Sequence, residues 1–406
     1  MTAGFATDLA FDEAVRIVVR VAALHRMPPE QSVLARAHGR IIAQHVVAPI
    51  PLPPFDNSAM DGYAVRHADL AADGETFLRL AGEQFAGPDL GLYVGPGECG
   101  RITTGAPMPA GAETVVIREH VHAGGDGIRI PGGIRPGVNV RLAGEDVRAG
   151  NRVLASGSVL TPARVSLAAA LGLAQLEVAT RPTVAVITTG DELVEPGLPL
   201  PPGAIYNSNR ELLMGLLRAD GLEPTAWPTL PDDPARVASM LRDAASSFDV
   251  VVTCGAVSAG DKDHIPALVG EHGRIHFWKV RMKPGMPVLF GNLGRARFLG
   301  LPGNPVSVLA TWLTLGRSLV DGLQGRAEPR PRFHARLSGA IDKRHPRREF
   351  MRGCLASAAD GVLRVAPDSA TGSHRLAAAA SADALIVVPE GVQSLPEGSV
   401  VEVLPL

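Results

Sequence analysis

Three short apolar stretches, Thr183–Ile187, Asp249–Thr253 and Arg297–Leu301, each run into a glycine-bearing loop with polar side chains. The loops are Thr188-Thr189-Gly190-Asp191-Glu192, Cys254-Gly255-Ala256-Val257-Ser258-Ala259-Gly260 and Pro302-Gly303-Asn304-Pro305. Ligands of open α/β sheets sit just beyond the carboxyl ends of the strands, so the three loops are expected to border one crevice. Their backbone N–H groups, with a helix starting at Val306, suit an anion. One such loop is an ordinary strand-to-helix turn; three together weigh towards a site.

Carboxylates recur on these loops and their neighbours: Asp191 and Glu192, Asp232 and Asp233, Asp261 and Asp263. Each could cap a helix, and Asp233 before Pro234 is expected to. Two or three converging carboxylates that retain waters would make a magnesium site, as phosphate chemistry commonly needs. Lys279 and Lys283 alternate along a presumed strand and are expected on one face, with Arg281 beside them and Pro284-Gly285 turning after them. A tetrahedral oxyanion is their natural ligand. His120 and His122 share a strand face without a third ligand nearby and read as solvated. The basic run Lys343–Arg348 reads as a solvated loop, with Arg352 beyond it better ordered.

Familiar alternatives fail. Gly255 to Gly260 has the glycine spacing of a phosphate-binding P-loop, but Asp261 stands where its lysine would be. No GxGxxG follows a strand, and Ser258 is one residue out of the nucleophile-elbow register. The three cysteines, Cys99, Cys254 and Cys354, are odd in number and far apart. That fits a reducing cytoplasm better than a disulfide framework or a zinc site. Net charge is -2, so neither nucleic acid nor an anionic membrane surface is implied, and an anion must be held locally. No apolar run approaches the ~18 residues of a membrane span, and the acidic start (Asp8, Asp12, Glu13) does not resemble an export signal.

The elements that must position these residues follow from the pattern. Apolar strands alternate with amphipathic helices over 181–328, which predicts an α/β domain whose mostly parallel sheet is covered on both faces. Ser208 or Asn209 is expected to cap a helix to Arg218, Asp233 one to about Ala245, and a further helix to run from Val306 to about Leu319. Residues 50–141, after the proline-rich Ile50–Pro54, show short alternating runs between turns and predict a β-rich insertion. Residues 8–49 and 142–180 predict a discontinuous helical linking domain. Its helices are a first one with Phe11, Val15, Val18, Val19 and Ala22 on one face and a second capped by Thr161 with Pro162 at its first position. Residues 329–406 predict a small C-terminal β domain.

Read together, several motifs resemble one family. Pro54-Phe-Asp-Asn-Ser-Ala-Met-Asp-Gly-Tyr-Ala64 and Arg101-Ile-Thr-Thr-Gly-Ala-Pro-Met-Pro109 are similar to molybdopterin molybdenumtransferases of the MoeA and gephyrin E-domain type. Gly144-Glu-Asp146, Thr189-Gly-Asp-Glu192, Ile205–Asn209, Asp232-Asp-Pro234, Met282-Lys-Pro-Gly285 and Gly300–Ser307 match in the same order, from about Phe11 to the C-terminus. The resemblance implies an elongated homodimer with the active cleft between subunits. It also implies adenylylated molybdopterin and molybdate as substrates, Mg2+ as cofactor, and AMP as a product. Carried over by position, it makes Asp61, Thr104, Asp146, Glu192, Asp232 and Asp263 catalytic, with Glu192, Asp232 and Asp263 near the metal. Lys279, Lys283, Pro302, Pro305, Ser307, Arg352 and Ser373 would bind substrate, Arg352 and Ser373 on the looser patterns Glu349–Gly353 and Thr371–His374. It places the enzyme in the cytoplasm, with a molybdopterin adenylyltransferase upstream and cofactor-processing proteins downstream. The sequence departs from the family at Ala256, where a second glycine is usual and positive φ costs alanine more. Two other readings compete. A molybdopterin adenylyltransferase shares the α/β domain but has no need of the insertion bearing Asp61 and Thr104. A non-catalytic dimeric scaffold has no need of charged groups at strand ends.

Overall fold

The computed structural model describes residues 5–258, 263–369 and 372–406. Asp261, Ala259, Gly260 and Thr371 lie outside the described residues. The centre is a seven-stranded sheet in the order Ala6–Leu9, Gly273–Val280, Leu289–Leu293, Ala296–Leu301, Val250–Cys254, Val184–Thr188, Thr225–Ala226. Its pairings are parallel except at the two edges of Leu289–Leu293, which runs against its neighbours. The three expected apolar strands are its middle, and every residue of Val184–Thr188, Val250–Cys254 and Ala296–Leu301 is buried. Continuous apolar sequence is what a sheet covered on both faces requires.

Helix Ser208–Ala219 is capped one residue before the expected positions. The Asn207 side chain accepts from Arg210 N and donates to Thr188 Oγ1 at 2.8 Å, which fixes the helix to a strand end. Helix Pro234–Ser247 is capped by Asp233 as expected. The helix expected from Val306 begins at Pro305, and after Thr311 its hydrogen bonding widens to a π-type turn over Trp312–Gly316 before Arg317–Leu323 resumes α. At the widened turn Trp312 Nε1 donates to the nearly buried Asp220 carboxylate at 2.9 Å, which also receives Arg317 and Arg330.

The start of the chain differs from expectation. Strand Ala6–Leu9 adds to the α/β sheet, and helix Phe11–Ala23 buries Phe11, Ala14, Val18, Val21 and Ala22 in the same core. It is therefore packed on the α/β layer and not on residues 142–180. Val19, expected on the apolar face, is 45% exposed. Ala22, as expected, faces inward and closes on Gly322, where a Cβ would come within 2.6 Å of the Ala22 Cβ. The linking unit is built from Pro29–Val33 paired with Gln175–Ala179 and from helix Pro162–Ala170, whose Thr161 cap accepts from Arg164 N. The insertion forms a six-stranded sheet, Thr114–Ile117, Gly62–Val65, Glu98–Ile102, Glu75–Gln84, Gly127–Pro131, His122–Gly124.

Residues 333–405 curl into a small barrel. Arg348–Ser357 pairs with both Leu363–Pro367 and Ala384–Val388, closing the sheet. Its outermost strand is Met282–Lys283, which comes from the α/β domain and pairs in parallel with Arg348 and Glu349. That single pairing carries Lys283 across to the barrel.

Candidate functional site: a cleft between the sheet and the barrel

A cleft of about 430 Å³ lies where the carboxyl ends of the sheet meet the barrel. The sheet side gives Ser258, Pro302, Gly303, Asn304 and Ser307, and the barrel side Arg347, Glu349, Arg352, Asp368 and Ser373, with Lys283–Pro287 between. The strand-end loops do converge. Gly303 packs 3.7 Å from the Gly255 Cα when a Cβ is placed on it, and Gly255, at φ +99°, leaves no room for a Cβ beside Thr189 Oγ1. Ala256 takes φ 53°, the left-handed conformation that the family's glycine would accept more cheaply. Of the expected binding residues, Lys283, Pro302, Ser307, Arg352 and Ser373 line this cleft.

Two do not. Lys279 was expected beside Lys283, but it sits at φ 70°, and the strand ends at Val280 before Met282–Lys283 joins the barrel. The alternation is broken between them. Lys279 Nζ instead lies over the Trp278 ring at 4.6 Å, while Trp278 Nε1 donates to Val257 O at 2.7 Å, so this lysine braces the glycine-rich loop from outside. Pro305 is the first helical residue and presents nothing to the cleft lining. The helix start also offers no open amide. Val306 N donates to Ser373 O at 3.1 Å, and Ser307 and Val308 N donate to Asn304 O. An anion here must be held by side chains.

The cationic wall is mostly paired. Lys283 Nζ is 2.9 Å from Glu349 Oε1, and Glu349 is 6% exposed. The second Glu349 oxygen faces His345 Nε2 at 3.1 Å. Burial pushes the His345 imidazole below its ordinary value, against the pull of Glu349. Arg352 Nε donates to Asp368 Oδ2 at 2.9 Å and its Nη1 to Gly372 O at 3.2 Å. Arg347 is different: its side chain meets Met286 Sδ at 3.6 Å, and among the described residues no carboxylate pairs with it. The basic run is thus not a solvated loop. Lys343 is 4% exposed and donates to Arg347 O at 2.8 Å and Pro389 O at 2.6 Å, fixing the backbone that aims Arg347. Arg347 and Glu349 were missed as site residues because charge density in sequence looks the same for a solvated loop and a folded one, and Asn304 because an asparagine between glycine and proline reads as a turn residue. The parallel pairing of Lys283 with Glu349 was not visible in either segment alone.

The expected carboxylates do not all meet. Asp232 lines a crevice of only about 10 Å³ with Thr189, Ala256 and His264, and its N–H donates to Asp191 Oδ1 at 3.3 Å. Asp263 precedes His264 and is half-buried. The Glu192 carboxylate folds back over Gly190, which a Cβ would bring within 2.2 Å of Oε2. Among the described residues no three His, Cys, Asp or Glu side chains converge on a cation position.

Asp61, Thr104 and Asp146 are all exposed, and Asp61 and Thr104 pair with each other on the insertion side. Asp61 Oδ1 accepts from Thr104 N at 2.8 Å and Thr104 Oγ1 at 2.9 Å, which holds its carboxyl below the usual range. The rest of the motif builds this position. Ser58 exchanges backbone bonds with Ala106 and Gly105, Asp56 accepts from Ala143 N at 2.7 Å, and Gly62 lets the backbone pass where a Cβ would overlap Val116 O. None of the three lines the sheet–barrel cleft. Cys99 and Cys254 are buried thiols, with Cys99 pushed up to about 12 by burial, and neither acts as a thiolate.

An α/β domain thus faces a barrel across a cleft, and a β insertion carries the Asp61–Thr104 pair. Residues 9–172 match the MoeA N-terminal region (domains I and II), 185–321 the probable molybdopterin-binding domain, and 334–406 the MoeA C-terminal region (domain IV). The chain is 38% identical to a molybdopterin molybdenumtransferase of Haemophilus influenzae over 92% of both chains. It is 39% identical to molybdopterin molybdenumtransferase 2 of Mycobacterium tuberculosis over 91% of this chain and 93% of that one. A crystal structure of the molybdopterin biosynthesis MoeA protein from Pyrococcus horikoshii superposes with a TM-score of 0.84 at 28% identity, covering 98% of this chain and all of that one. The chain belongs to the molybdopterin molybdenumtransferase family and acts in molybdenum cofactor biosynthesis.

Proposed function

We propose that this enzyme inserts molybdenum from molybdate into adenylylated molybdopterin and releases AMP. One observation carries the reading: Lys283, Arg347, Arg352, Ser307 and Ser373 converge from two domains on one cleft of small-molecule size. Molybdate is a tetrahedral dianion, and a partly dry wall of paired cations with one uncommitted guanidinium is suited to it. Lys283 and Arg352 hold fixed directions because Glu349 and Asp368 orient them, and Arg347 supplies a charge that no described carboxylate pairs with. The hydroxyls of Ser307 and Ser373 fill the remaining acceptor and donor positions. Asp232 and Asp263, beyond Ser258, would face the pterin end, with Glu192 on the neighbouring strand-end loop. Magnesium belongs to this reading as a cation that enters with the substrate phosphates.

We further propose a homodimer in which Asp61, Thr104 and Asp146 of one subunit complete the cleft of the other. Phe55, Met60 and Leu142 stand 45%, 40% and 57% exposed around Asp61, an apolar rim suited to a partner surface. The setting is a cytoplasm; three free cysteines and no described helix long and apolar enough to cross a membrane agree with it. A molybdopterin adenylyltransferase would supply the substrate, and cofactor-processing proteins would take the product. The competing adenylyltransferase reading leaves the insertion without a task, and the scaffold reading leaves Arg347 without one.

Subunit complementation tests the whole reading. Asp61→Ala and Arg347→Ala subunits are each expected to be nearly inactive in molybdate-dependent AMP release. Mixed after dissociation, they should recover activity in the heterodimers, which hold one intact cleft. No recovery, from a mixture shown to exchange subunits, would remove the shared cleft. AMP release that ignores molybdate would remove the reaction.

A further inference from the structure

A hollow of about 280 Å³ sits at the other pole of the α/β domain, at the amino ends of Val250–Cys254 and Ala296–Leu301. It is lined by His25, Arg26, Asp249, Arg295 and Arg297. Arg297 is 5% exposed, and its Nη2 donates to Arg295 O. Its Nη1 is buried and has no hydrogen-bond partner among the described residues, and no described carboxylate pairs with it. Arg26 and Arg295 stand exposed at the rim, equally without an acidic partner, Arg295 donating only to Ser246 O at 2.7 Å. The one acid in the described lining, Asp249, bonds to Thr183: its Oδ2 accepts from Thr183 N at 2.9 Å and Thr183 Oγ1 at 2.7 Å.

A buried cation without a counter-charge is unfavourable, and native chains keep one where something else completes it. Burial lowers the Arg297 guanidinium with nothing opposing, and it also depresses His25, which Arg297 pushes down further. The concentration of positive charge is local, since the whole chain carries -2. A cation is excluded by this field. Three guanidiniums in one lining, one buried and two exposed, match a tetrahedral acceptor better than a planar carboxylate, which one fork satisfies.

We propose that this hollow is a second oxyanion site, separate from the catalytic cleft, that takes a phosphate group on Arg297, Arg26 and Arg295. The phosphate is either free or the monoester end of a nucleotide. It bridges helix Phe11–Ala23, through the Arg26 segment that follows it, to the strand bearing Arg297.

Calorimetric titration of the full chain with inorganic phosphate and with AMP tests this, using wild type, Arg347→Ala and the double variant Arg26→Ala/Arg295→Ala. Both rim residues are exposed, so the double variant should fold. Wild type and Arg347→Ala are expected to retain a phosphate that the rim variant binds at least tenfold more weakly. AMP binding there tighter than phosphate assigns a nucleotide; equal affinity assigns free phosphate. Crystals soaked in selenate should show an anomalous peak beside Arg297. Rim-variant phosphate affinity equal to wild type, or no peak beside Arg297, overturns the proposal.

Discussion

Removing the Lys283 amine should have two separable costs. Its Nζ lies 2.9 Å from Glu349 Oε1, and Glu349 is 6% exposed, so Lys283→Ala leaves a carboxylate in a nearly dry place without the ammonium that pairs with it, His345 facing its other oxygen. Burial keeps that imidazole below its ordinary value in the intact pair. Orphaning a buried acceptor costs roughly 1–3 kcal/mol, against about 0.5 kcal/mol for an exposed lysine. The second cost is to the ligand. One charge-assisted hydrogen bond contributes roughly 1.5–3 kcal/mol, so molybdate affinity should fall about tenfold to a hundredfold. Lys283→Gln separates the two, because the amide can still donate to Glu349 but carries no charge: stability should stay near wild type while binding falls. Lys283→Met with Glu349→Leu removes the pair together, which is often neutral for stability, and should not restore binding. Denaturant melts and calorimetric titration with molybdate give both quantities for the variants. Wild-type stability in Lys283→Ala would refute the buried pairing, and wild-type molybdate affinity in the double variant would remove Lys283 from the site.

Other consequences follow from the same geometry. Arg347→Ala should weaken molybdate binding about tenfold to a hundredfold while stability changes by less than about 0.5 kcal/mol, since no acid is orphaned; a melt lowered as much as that of Lys283→Ala would contradict it. Ala256→Gly relieves an alanine at φ 53° and should raise denaturant stability by about 0.5–1 kcal/mol, where glycine elsewhere lowers it; a loss of that size would count against the loop conformation. Glu328 is held at about 2, against 4.5 ordinarily, first by Arg164, to which it bonds at 2.6 and 2.8 Å. Its depressed value means stability present above pH 4.5 and lost as pH falls towards 2. Both side chains are about a third exposed, so Glu328→Gln should cost only about 1 kcal/mol at pH 7 and flatten the acid limb of a pH–stability curve.

The parts of this fold legible in sequence were those set by local pattern. Val184–Thr188, Val250–Cys254 and Ala296–Leu301 are mostly apolar because both faces are covered, with Arg297 the charged exception, and the caps at Thr161 and Asp233 depend on one side chain and the next turn. Loop convergence was inferable because strand ends must meet. Pairings between distant segments were not. Nothing in Met282-Lys283 says that it leaves the α/β sheet for the barrel, and nothing in Arg347-Arg348-Glu349 says that one arginine faces the cleft while the next pairs with Asp12. Positive φ at Lys279 defeated the alternation argument, since period two holds only while the strand continues. Lys343 reads as a solvated cation in sequence, yet two carbonyls hold its ammonium out of water.

The cleft has a width, and residues outside it set that width. Ser307 belongs to the α/β domain, while Lys283, Arg347 and Arg352 move with the barrel, so the barrel's seat fixes their separation. That seat is made by the first helix. Phe11 packs its ring 5.3 Å from that of Phe350, Arg348 lies over the other side of Phe11 at 4.7 Å, and Arg348 bonds Asp12 at 2.7 and 3.0 Å. Phe350 itself lines the cleft, and Phe11 does not. Phe11→Ala would open a cavity worth roughly 3–5 kcal/mol beneath Phe350 and loosen the strand that bears Arg347, Glu349 and Arg352. Molybdate affinity should therefore fall although no lining residue has changed, whereas Phe11→Leu, which refills most of the volume, should recover most of both stability and binding. Titration of the two variants with molybdate, at a temperature where both remain folded, distinguishes a seat from mere core packing. Destabilisation with unchanged affinity in Phe11→Ala would mean that the site holds its own shape without the first helix.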